Sequence, residues 1–249
     1  MLHRFLLLVL LTLATPLALA DALKVGVSPD YPPLAFQQDG RVMGIEADNV
    51  RAVSEVIGRQ MKFVPMPFDK LLPALLAGQI DVIMSGFSVT EERARQVSFS
   101  DPYMRMGQMA IMHKDKVARF AQPWSVYREG VRIGVEPGTT GAAFAEKELK
   151  DAEIAYYTDA AAAFEGLRKD QIDLYIHDAP TSWLLATTSE NSDLISLYSP
   201  LTDEMLAWAV RKDDDALLAE LNRALGLMKQ NGTLRYILNR WIPVTVEVR

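Results

Sequence analysis

Apolar runs and amphipathic stretches alternate along the first part of the chain. Residues 24–27 and 61–64 are short apolar runs of the kind that form strands. Apolar residues recur at helical spacing in residues 46–58 and 68–77, and each stretch ends at or beside a glycine. Residues 80–84 are mainly apolar and β-rich, as expected for a strand buried on both faces of a parallel sheet. This alternation predicts an α/β protein.

The same order of patterns returns in the second part of the chain. Residues 131–135 (VRIGV) echo residues 24–27 (KVGV), and a helix is predicted over residues 138–150. Residues 68–84 and 160–176 are more alike still, since the first segment ends in AGQIDVIM and the second in KDQIDLYI. The repeat predicts two lobes of similar build, each with strands that alternate with helices.

Two strand-like segments, residues 107–113 and 205–210, are predicted to carry the chain from one lobe to the other and back. Residues 21–110 and 207–249 then form the first lobe, and residues 111–206 form the second. The two crossing strands are expected to act as the hinge.

The first 20 residues have the composition of a cleaved secretory signal. Arg4 stands in a short basic head, an apolar run covers residues 5–13, and Ala18-Leu19-Ala20 precedes Asp21. This run is shorter than the roughly 18 apolar residues of a membrane-spanning helix. The mature chain is therefore expected to be exported and soluble.

Charge and cysteine content narrow the function classes. The chain has 32 acidic and 26 basic residues and no basic run, which argues against a nucleic-acid partner. It has no Cys, so a disulfide framework is not expected. The sequence has no phosphate-binding loop, dinucleotide-binding glycine motif or G-x-S-x-G nucleophile. His113 and His177 lack metal-ligand spacing, so neither a metal nor a cofactor is expected.

Small polar residues follow the strand predicted at residues 80–84. Ser85, Gly86 and Ser88 stand at its carboxyl end, where open α/β sheets bind ligands. Either Ser88 or Thr90 is placed to cap the next helix.

Arg93 falls in the first turn of that helix, where the helix dipole disfavours a cation, so a partner is required. One interpretation is a solvated surface pair with Glu91, Glu92 or Asp101. The other is that Arg93 binds a ligand carboxylate through two parallel hydrogen bonds.

Two residues elsewhere also have two interpretations. Tyr31 lies in the stiff loop SPDYPP after the first strand, where it either packs or forms one wall of a pocket. Asp178 follows a strand and precedes Ala179-Pro180, so it either caps a helix or provides a fixed negative charge to a ligand.

Several segments, taken in order, resemble the solute-binding components of ABC transporters for polar amino acids. They extend over essentially the whole mature chain: YPP from Tyr31, GIEAD from Gly44, FDKLLPALLAGQIDVIMSGFSVTEER from Phe68, FSDPY from Phe99, GTT from Gly138 and QIDLYIHD from Gln171. The resemblance implies a two-lobed type II periplasmic binding fold, with a mixed sheet and flanking helices in each lobe and two hinge strands between them. It also implies a monomer in the periplasm that delivers an amino acid or related zwitterion to an inner-membrane permease.

The resemblance also implies roles for individual residues. Arg93 matches the clamp for the ligand α-carboxylate, and Asp178 matches the acid that binds the α-ammonium. The matching neighbours are Ser85, Gly86 and Ser88 beside the clamp, Thr139 or Thr140 as the carboxylate donor of the second lobe, and Tyr31 and Phe68 as walls.

Three positions leave the side-chain preference open. Gly86 stands where many relatives have Ser or Ala. Glu136 is either an exposed strand end or a contact to a cationic ligand side chain. His177 is either a satisfied residue beside the pocket or a selector that changes with pH.

Two other functions are compatible with this resemblance. Cyclohexadienyl and arogenate dehydratases share the two-lobed family, and Glu204, Asp178 or His177 with Arg93 could serve as their acid and carboxylate-binding groups. A ligand sensor that signals through a membrane partner is the other. We expect a binding protein and not an enzyme, because Glu204 lies just before a crossing strand.

Overall fold

The computed structural model describes residues 22–197 and 199–242, and the predicted signal, residues 1–20, lies outside this range. Strands and helices alternate through the described residues, as predicted. The strands are β1 Leu23–Val27, β2 Asp30–Tyr31, β3 Ala35–Gln38, β4 Arg41–Met43, β5 Met61–Pro65, β6 Val82–Ile83, β7 Val97–Phe99, β8 Met104–Met106, β9 Gln108–His113, β10 Arg132–Val135, β11 Glu153–Tyr156, β12 Leu174–Asp178, β13 Leu194–Ser196, β14 Glu204–Leu206 and β15 Ala209–Arg211. The helices are α1 Ile45–Ile57, α2 Phe68–Leu76, α3 Glu91–Ala94, α4 Val117–Phe120, α5 Thr140–Glu148, α6 Ala160–Arg168, α7 Ala179–Thr187, α8 Asp215–Gln230 and α9 Thr233–Trp241.

Two five-stranded mixed sheets have the same arrangement of their three parallel strands. The first runs β5-β1-β6-β15-β7 and the second runs β11-β10-β12-β9-β13. In each, the first three strands are parallel and the fourth is antiparallel to the third. The repeat predicted from the sequence is therefore confirmed by the topology.

A glycine in the middle one of the three parallel strands of each sheet, β1 and β10, explains why the two halves share short motifs. A Cβ on Gly26 would lie 2.2 Å from Cδ1 of Ile80, and a Cβ on Gly134 would lie 2.5 Å from Cδ1 of Ile172. Real Cβ atoms do not approach another carbon so closely, because dispersion attraction is optimal at about 3.5–4.0 Å. In the first lobe Ile80 thus packs directly on the backbone of Gly26, and in the second lobe Ile172 packs in the same way on Gly134.

The chain crosses between the lobes through a two-stranded ribbon. β8 pairs with β14 in an antiparallel ladder, β9 continues from β8 into the second sheet, and β15 continues from β14 into the first. The predicted crossing segment 107–113 is instead a strand of the second sheet, and the predicted boundary after residue 110 falls inside β9. An apolar run of this length is typical of both a buried strand and a hinge strand, which explains the difference.

The first lobe also has a small antiparallel sheet, β2-β3-β4, which was not predicted. Tyr31 lies in β2 opposite Ala35, so it belongs to a short strand and not to an irregular loop. α1, α8 and α9 pack together beside the first sheet and bury Leu221, Leu225 and Met228. None of the helices in the described residues combines the length and apolar character needed to span a bilayer.

Candidate functional site

A cavity of about 380 Å³ lies between the two lobes, a size typical of sites for small ligands. Its wall follows the carboxyl ends of β1, β6, β10 and β12, the central parallel strands of both sheets. Of the predicted site residues, the wall contains Tyr31, Phe68, Gly86, Ser88, Arg93, Glu136, Thr139, Thr140, His177 and Asp178.

Ser85 was predicted to line the site, but it is not among the residues of the cavity wall. Its side chain is fully buried, and its Oγ accepts a hydrogen bond of 2.8 Å from the backbone N–H of Ser28. It therefore joins the ends of β1 and β6 behind the wall.

Arg93 is held at the cavity by its short helix and by an aromatic face. Thr90 is the N-cap of α3 and accepts from the backbone N–H of Arg93 at 3.1 Å, so Thr90, and not Ser88, caps this helix. The guanidinium carbon lies 4.0 Å from the centroid of the Phe87 ring. Only 8% of Arg93 is exposed.

The guanidinium of Arg93 has N–H groups that remain available to a ligand. It donates to the carbonyl oxygens of Ser88 at 2.8 Å and of Gly138 at 2.9 Å, which takes two of its five N–H groups. Among the described residues no carboxylate lies within 4.0 Å of it, and Glu91 pairs with Arg95 instead. The solvated-pair interpretation is therefore wrong.

Burial lowers the pKa of Arg93 to about 10, in spite of the opposing fields of Asp178 and Glu204. The group consequently stays positively charged at neutral pH. A buried cation whose remaining N–H groups face a cavity suits an anionic ligand group.

Asp178 closes the opposite side of the cavity. It stands at the N-cap position of α7, but its side chain makes no capping hydrogen bond. Its carboxylate accepts from the Tyr31 hydroxyl, which comes from the first lobe, and from Nε2 of Gln108. Burial raises the pKa of Asp178. The helix-capping interpretation is therefore wrong, and this side chain faces the cleft.

Thr139 and Thr140, the predicted site threonines of the second lobe, make different hydrogen bonds. Thr139 caps α5, since its Oγ1 accepts from the N–H of Ala142 at 3.1 Å. Thr140 donates to Oε2 of Glu204 at 2.8 Å and accepts from Nε2 of Gln108 at 3.0 Å. Glu204 is thereby occupied by neighbouring hydroxyl groups, and it is not part of the cavity wall.

Gln108 links Asp178 to Thr140, although the sequence did not single it out. It lies directly opposite Asp178 in the ladder between β12 and β9. The sequence carries no signal for this pairing, because β9 and β12 are separated by 60 or more residues and their register depends on the assembled sheet.

The glycine at position 86 is required by its surroundings. Gly86 has φ +61°, and a Cβ there would lie 2.7 Å from the Tyr31 ring. Its N–H donates to Oε1 of Glu46 at 2.9 Å. Glu46 is fully buried and also accepts from Tyr103 and Trp208, so it holds this part of the wall in place.

Glu136 and His177 form a connected pair on the wall. Oε1 of Glu136 accepts from the hydroxyl of Tyr175 and lies 3.5 Å from Nε2 of His177. Only 16% of the Glu136 side chain is exposed, so the exposed-strand-end interpretation is wrong. Burial would lower the pKa of His177, but Glu136 and Asp178 outweigh it and raise the pKa overall.

Three further carboxylates line the cavity without having been predicted as site residues: Asp30, Asp69 and Asp159. Asp159 also caps α6, and Asp69 pairs with Lys70 at 2.8 Å. The pKa of Asp30 is raised by burial and by the fields of Asp159 and Glu136. No local pattern predicts this group, because its members lie far apart in the chain and come from both lobes.

Comparison with known proteins now decides the family. The model of the bacterial extracellular solute-binding proteins, family 3, matches residues 23–244. The chain belongs to this family. The ABC transporter arginine-binding protein 1 of Escherichia coli K12 is 31% identical over 90% of this chain and 92% of its own length.

Two other relatives bear on the function. The cyclohexadienyl dehydratase of Pseudomonas aeruginosa is 28% identical over 90% of this chain and 83% of its own length. The crystal structure of the ancestral amino acid-binding protein AncCDT-1, a precursor of cyclohexadienyl dehydratase, matches with a TM-score of 0.82 and 32% identity over 89% of this chain and 95% of that one. The two-lobed type II periplasmic binding fold is thus confirmed for this family 3 member.

Proposed function

We propose that this family 3 protein binds an amino acid between its lobes and delivers it to an ABC transporter permease. The observation that carries the proposal is the placement of Arg93 and Asp178, opposite charges from different lobes, on the wall of one small cavity. The α-carboxylate of an amino acid would accept from the free N–H groups of Arg93, and its α-ammonium would donate to Asp178. The arginine-binding relative supports this assignment.

The same charges explain why a ligand would favour closure. Away from the β8–β14 ribbon, hydrogen bonds between described residues that join the lobes include Tyr31 to Asp178, Arg93 to the Gly138 carbonyl, and Thr181 to the Pro32 carbonyl at 3.4 Å. Bringing a buried cation and a buried carboxylate into one cleft costs free energy unless each is compensated. A zwitterion compensates both groups at once, and it therefore stabilises the closed state over the open one.

The location and partner follow from the family and from the N-terminal pattern. We infer a periplasmic protein that is released by cleavage after Ala20, acts as a monomer, needs no cofactor, and docks on an inner-membrane permease. The names of the relatives, which are transporter binding proteins, support the permease as the partner.

A dehydratase is the second candidate, because one relative and the descendant of one structural neighbour carry that activity. Against it, Glu204 has its carboxylate occupied by Thr140 and Thr202 and stands outside the cavity wall. We therefore favour binding without turnover.

A thermal-shift screen of the proteinogenic amino acids on ligand-stripped protein tests the proposal. A ligand at 100 times its Kd stabilises a protein by about 2.7 kcal/mol, which such a screen detects. Purified protein is also incubated with prephenate and arogenate. Stabilisation by amino acids with no turnover supports a binding protein, whereas turnover supports the dehydratase, and no stabilisation by any amino acid contradicts the proposal.

A further inference from the structure

We propose that the ligand is an amino acid with a positively charged side chain, and that Asp30, Glu136 and Asp159 bind this charge. The inference rests on the proposed function, since it assigns the part of the same cavity that the α-carboxylate and α-ammonium leave open.

The cavity wall carries more negative charge than a neutral zwitterion can balance. Its carboxylates are Asp30, Asp69, Glu136, Asp159 and Asp178, whereas the basic side chains among the described wall residues are Arg93 and His177. A zwitterion brings one carboxylate for Arg93 and one ammonium for Asp178. Four carboxylates remain, of which Asp69 has its own partner in Lys70.

The other three carboxylates have no Lys or Arg partner among the described residues, and Glu136 has His177 beside one of its two oxygens. Within the described residues no Lys or Arg nitrogen lies within 4.0 Å of Asp30, Glu136 or Asp159. Oε2 of Glu136 accepts no hydrogen bond from these residues, because Tyr175 and His177 both approach Oε1. An acidic oxygen on a cavity wall without a donor is a binding position for a ligand cation.

These carboxylates come from both lobes and act on one another. Asp30 belongs to the first lobe, while Glu136 follows β10 and Asp159 precedes α6 in the second. The fields of Asp159 and Glu136 contribute to the raised pKa of Asp30, as expected of like charges that share a site. Closure brings these negative charges together, and a cation between them converts the repulsion into attraction.

A purely structural role explains these residues less well. Asp159 caps α6 through Oδ1, which accepts from the N–H of Ala162 at 2.8 Å, and its Oδ2 accepts from the hydroxyl of Thr158 at 2.9 Å. Ser, Thr or Asn would cap equally well, so the cap does not account for a charge at this position. Asp30 is exposed on the cavity wall, and its side chain accepts no hydrogen bond from the described residues. Asp30 therefore has no hydrogen bond within the described residues that would assign it a structural role.

The rest of the wall suits the stem of such a side chain. Tyr31 and Phe68 line the same cavity and offer aromatic surface to methylene groups. Arginine and lysine both combine an apolar stem with a cationic head, which matches apolar walls that lead to acidic oxygens.

Calorimetry with matched ligands tests the inference without altering the protein. Arginine is compared with citrulline, which has nearly the same shape but a neutral head, and lysine is compared with glutamine. We expect arginine and lysine to bind roughly ten- to a hundredfold more tightly than their neutral counterparts, because hydrogen bonds between charged groups are about twice as strong as neutral ones.

Single substitutions then locate the charge. Asp30→Asn and Asp159→Asn are each expected to weaken arginine binding about tenfold and citrulline binding by less than about twofold. Asp39→Asn is the matched control, since Asp39 is exposed and is not part of the wall, and it should change neither affinity. Urea unfolding of each ligand-free variant checks that the fold is kept.

The outcomes separate this inference from the proposed function. If citrulline or glutamine binds as tightly as arginine, the acidic subsite is refuted while amino acid binding stands. If Asp30→Asn and Asp159→Asn lower the affinities for arginine and citrulline equally, these residues stabilise the cleft and do not bind the side-chain charge. This result also refutes the subsite. If no amino acid binds, the proposed function fails and the subsite fails with it.

Discussion

Replacing Arg93 by Lys tests the central contact of the proposed site most directly. The guanidinium uses two N–H groups on the carbonyls of Ser88 and Gly138, which leaves three for a ligand. Lys keeps the charge but loses the planar fork, so it cannot keep both carbonyls and also make two parallel bonds to a carboxylate. The loss of one charged hydrogen bond amounts to about 1.5–3 kcal/mol, or roughly a 10- to 150-fold rise in Kd.

The assay is calorimetry on ligand-stripped protein, with the preferred amino acid and with its decarboxylated amine. In the wild type the amino acid should bind far better than the amine. In Arg93→Lys this advantage should shrink by about the same 1.5–3 kcal/mol, because the substitution and the missing carboxylate remove one shared contact.

Arg95→Lys is the control for this experiment. Arg95 follows the same short helix, but its side chain is 76% exposed, and it pairs with the exposed Glu91 at 3.8 Å. It should leave both affinities unchanged. A folded Arg93→Lys protein that keeps the full advantage of the amino acid over the amine would refute the assigned contact.

Three further predictions concern the surroundings of the clamp. Asp178→Asn should weaken the amino acid more than an analogue without the α-amino group in calorimetry, because a neutral amide does not compensate an ammonium; equal losses would contradict this role. Glu46→Gln should lower the free energy of unfolding in urea by about 1–3 kcal/mol, because the NH2 group of the new amide would face the N–H and O–H donors that now bind the carboxylate. Glu55→Gln is the exposed control and should change this free energy little. An unchanged free energy of unfolding in Glu46→Gln would contradict the role of the buried network. Burial would lower the pKa of His177, but Glu136 and Asp178 raise this pKa overall in the folded protein. The contribution of His177 to stability should therefore be complete below about pH 6.5, the ordinary pKa of an unfolded His, and it should vanish as the pH rises through the higher pKa of the folded state. Urea titrations of wild type and His177→Gln at about pH 6 and pH 9 should show a difference that shrinks at the higher pH, with His113→Gln as control, and a constant difference would contradict the sign.

The alternation of strands and helices could be predicted because it depends on local patterns. The helix α1 ends at Gly58 in the left-handed conformation, as its sequence indicates. The parallel strands β1 and β6 were recognisable from short apolar runs, and Arg93 was recognisable because it follows the carboxyl end of one of them. Each of these features depends on residues within about one helical turn or strand length of one another.

Features that depend on long-range pairing could not be predicted. Gln108 reaches Asp178 only through the register between β9 and β12. Asp30 and Asp159 line the same cavity although 129 positions separate them in the chain. The crossing point between the lobes was misplaced for the same reason, since an apolar segment does not indicate which of two sheets it will join.

The β8–β14 ribbon has a consequence for how relatives could exchange ligand preference. Everything between these two strands leaves the first lobe and returns to the adjacent position, so the second lobe is topologically an insertion whose ends are hydrogen-bonded neighbours. Segments with adjacent termini are well tolerated as transplants. Grafting this insertion from another family member would replace Glu136, Asp159 and Asp178 together, while Arg93 would stay in place. Under the proposed function, the grafted protein would then prefer a different ligand side chain and still bind the ligand α-carboxylate through Arg93.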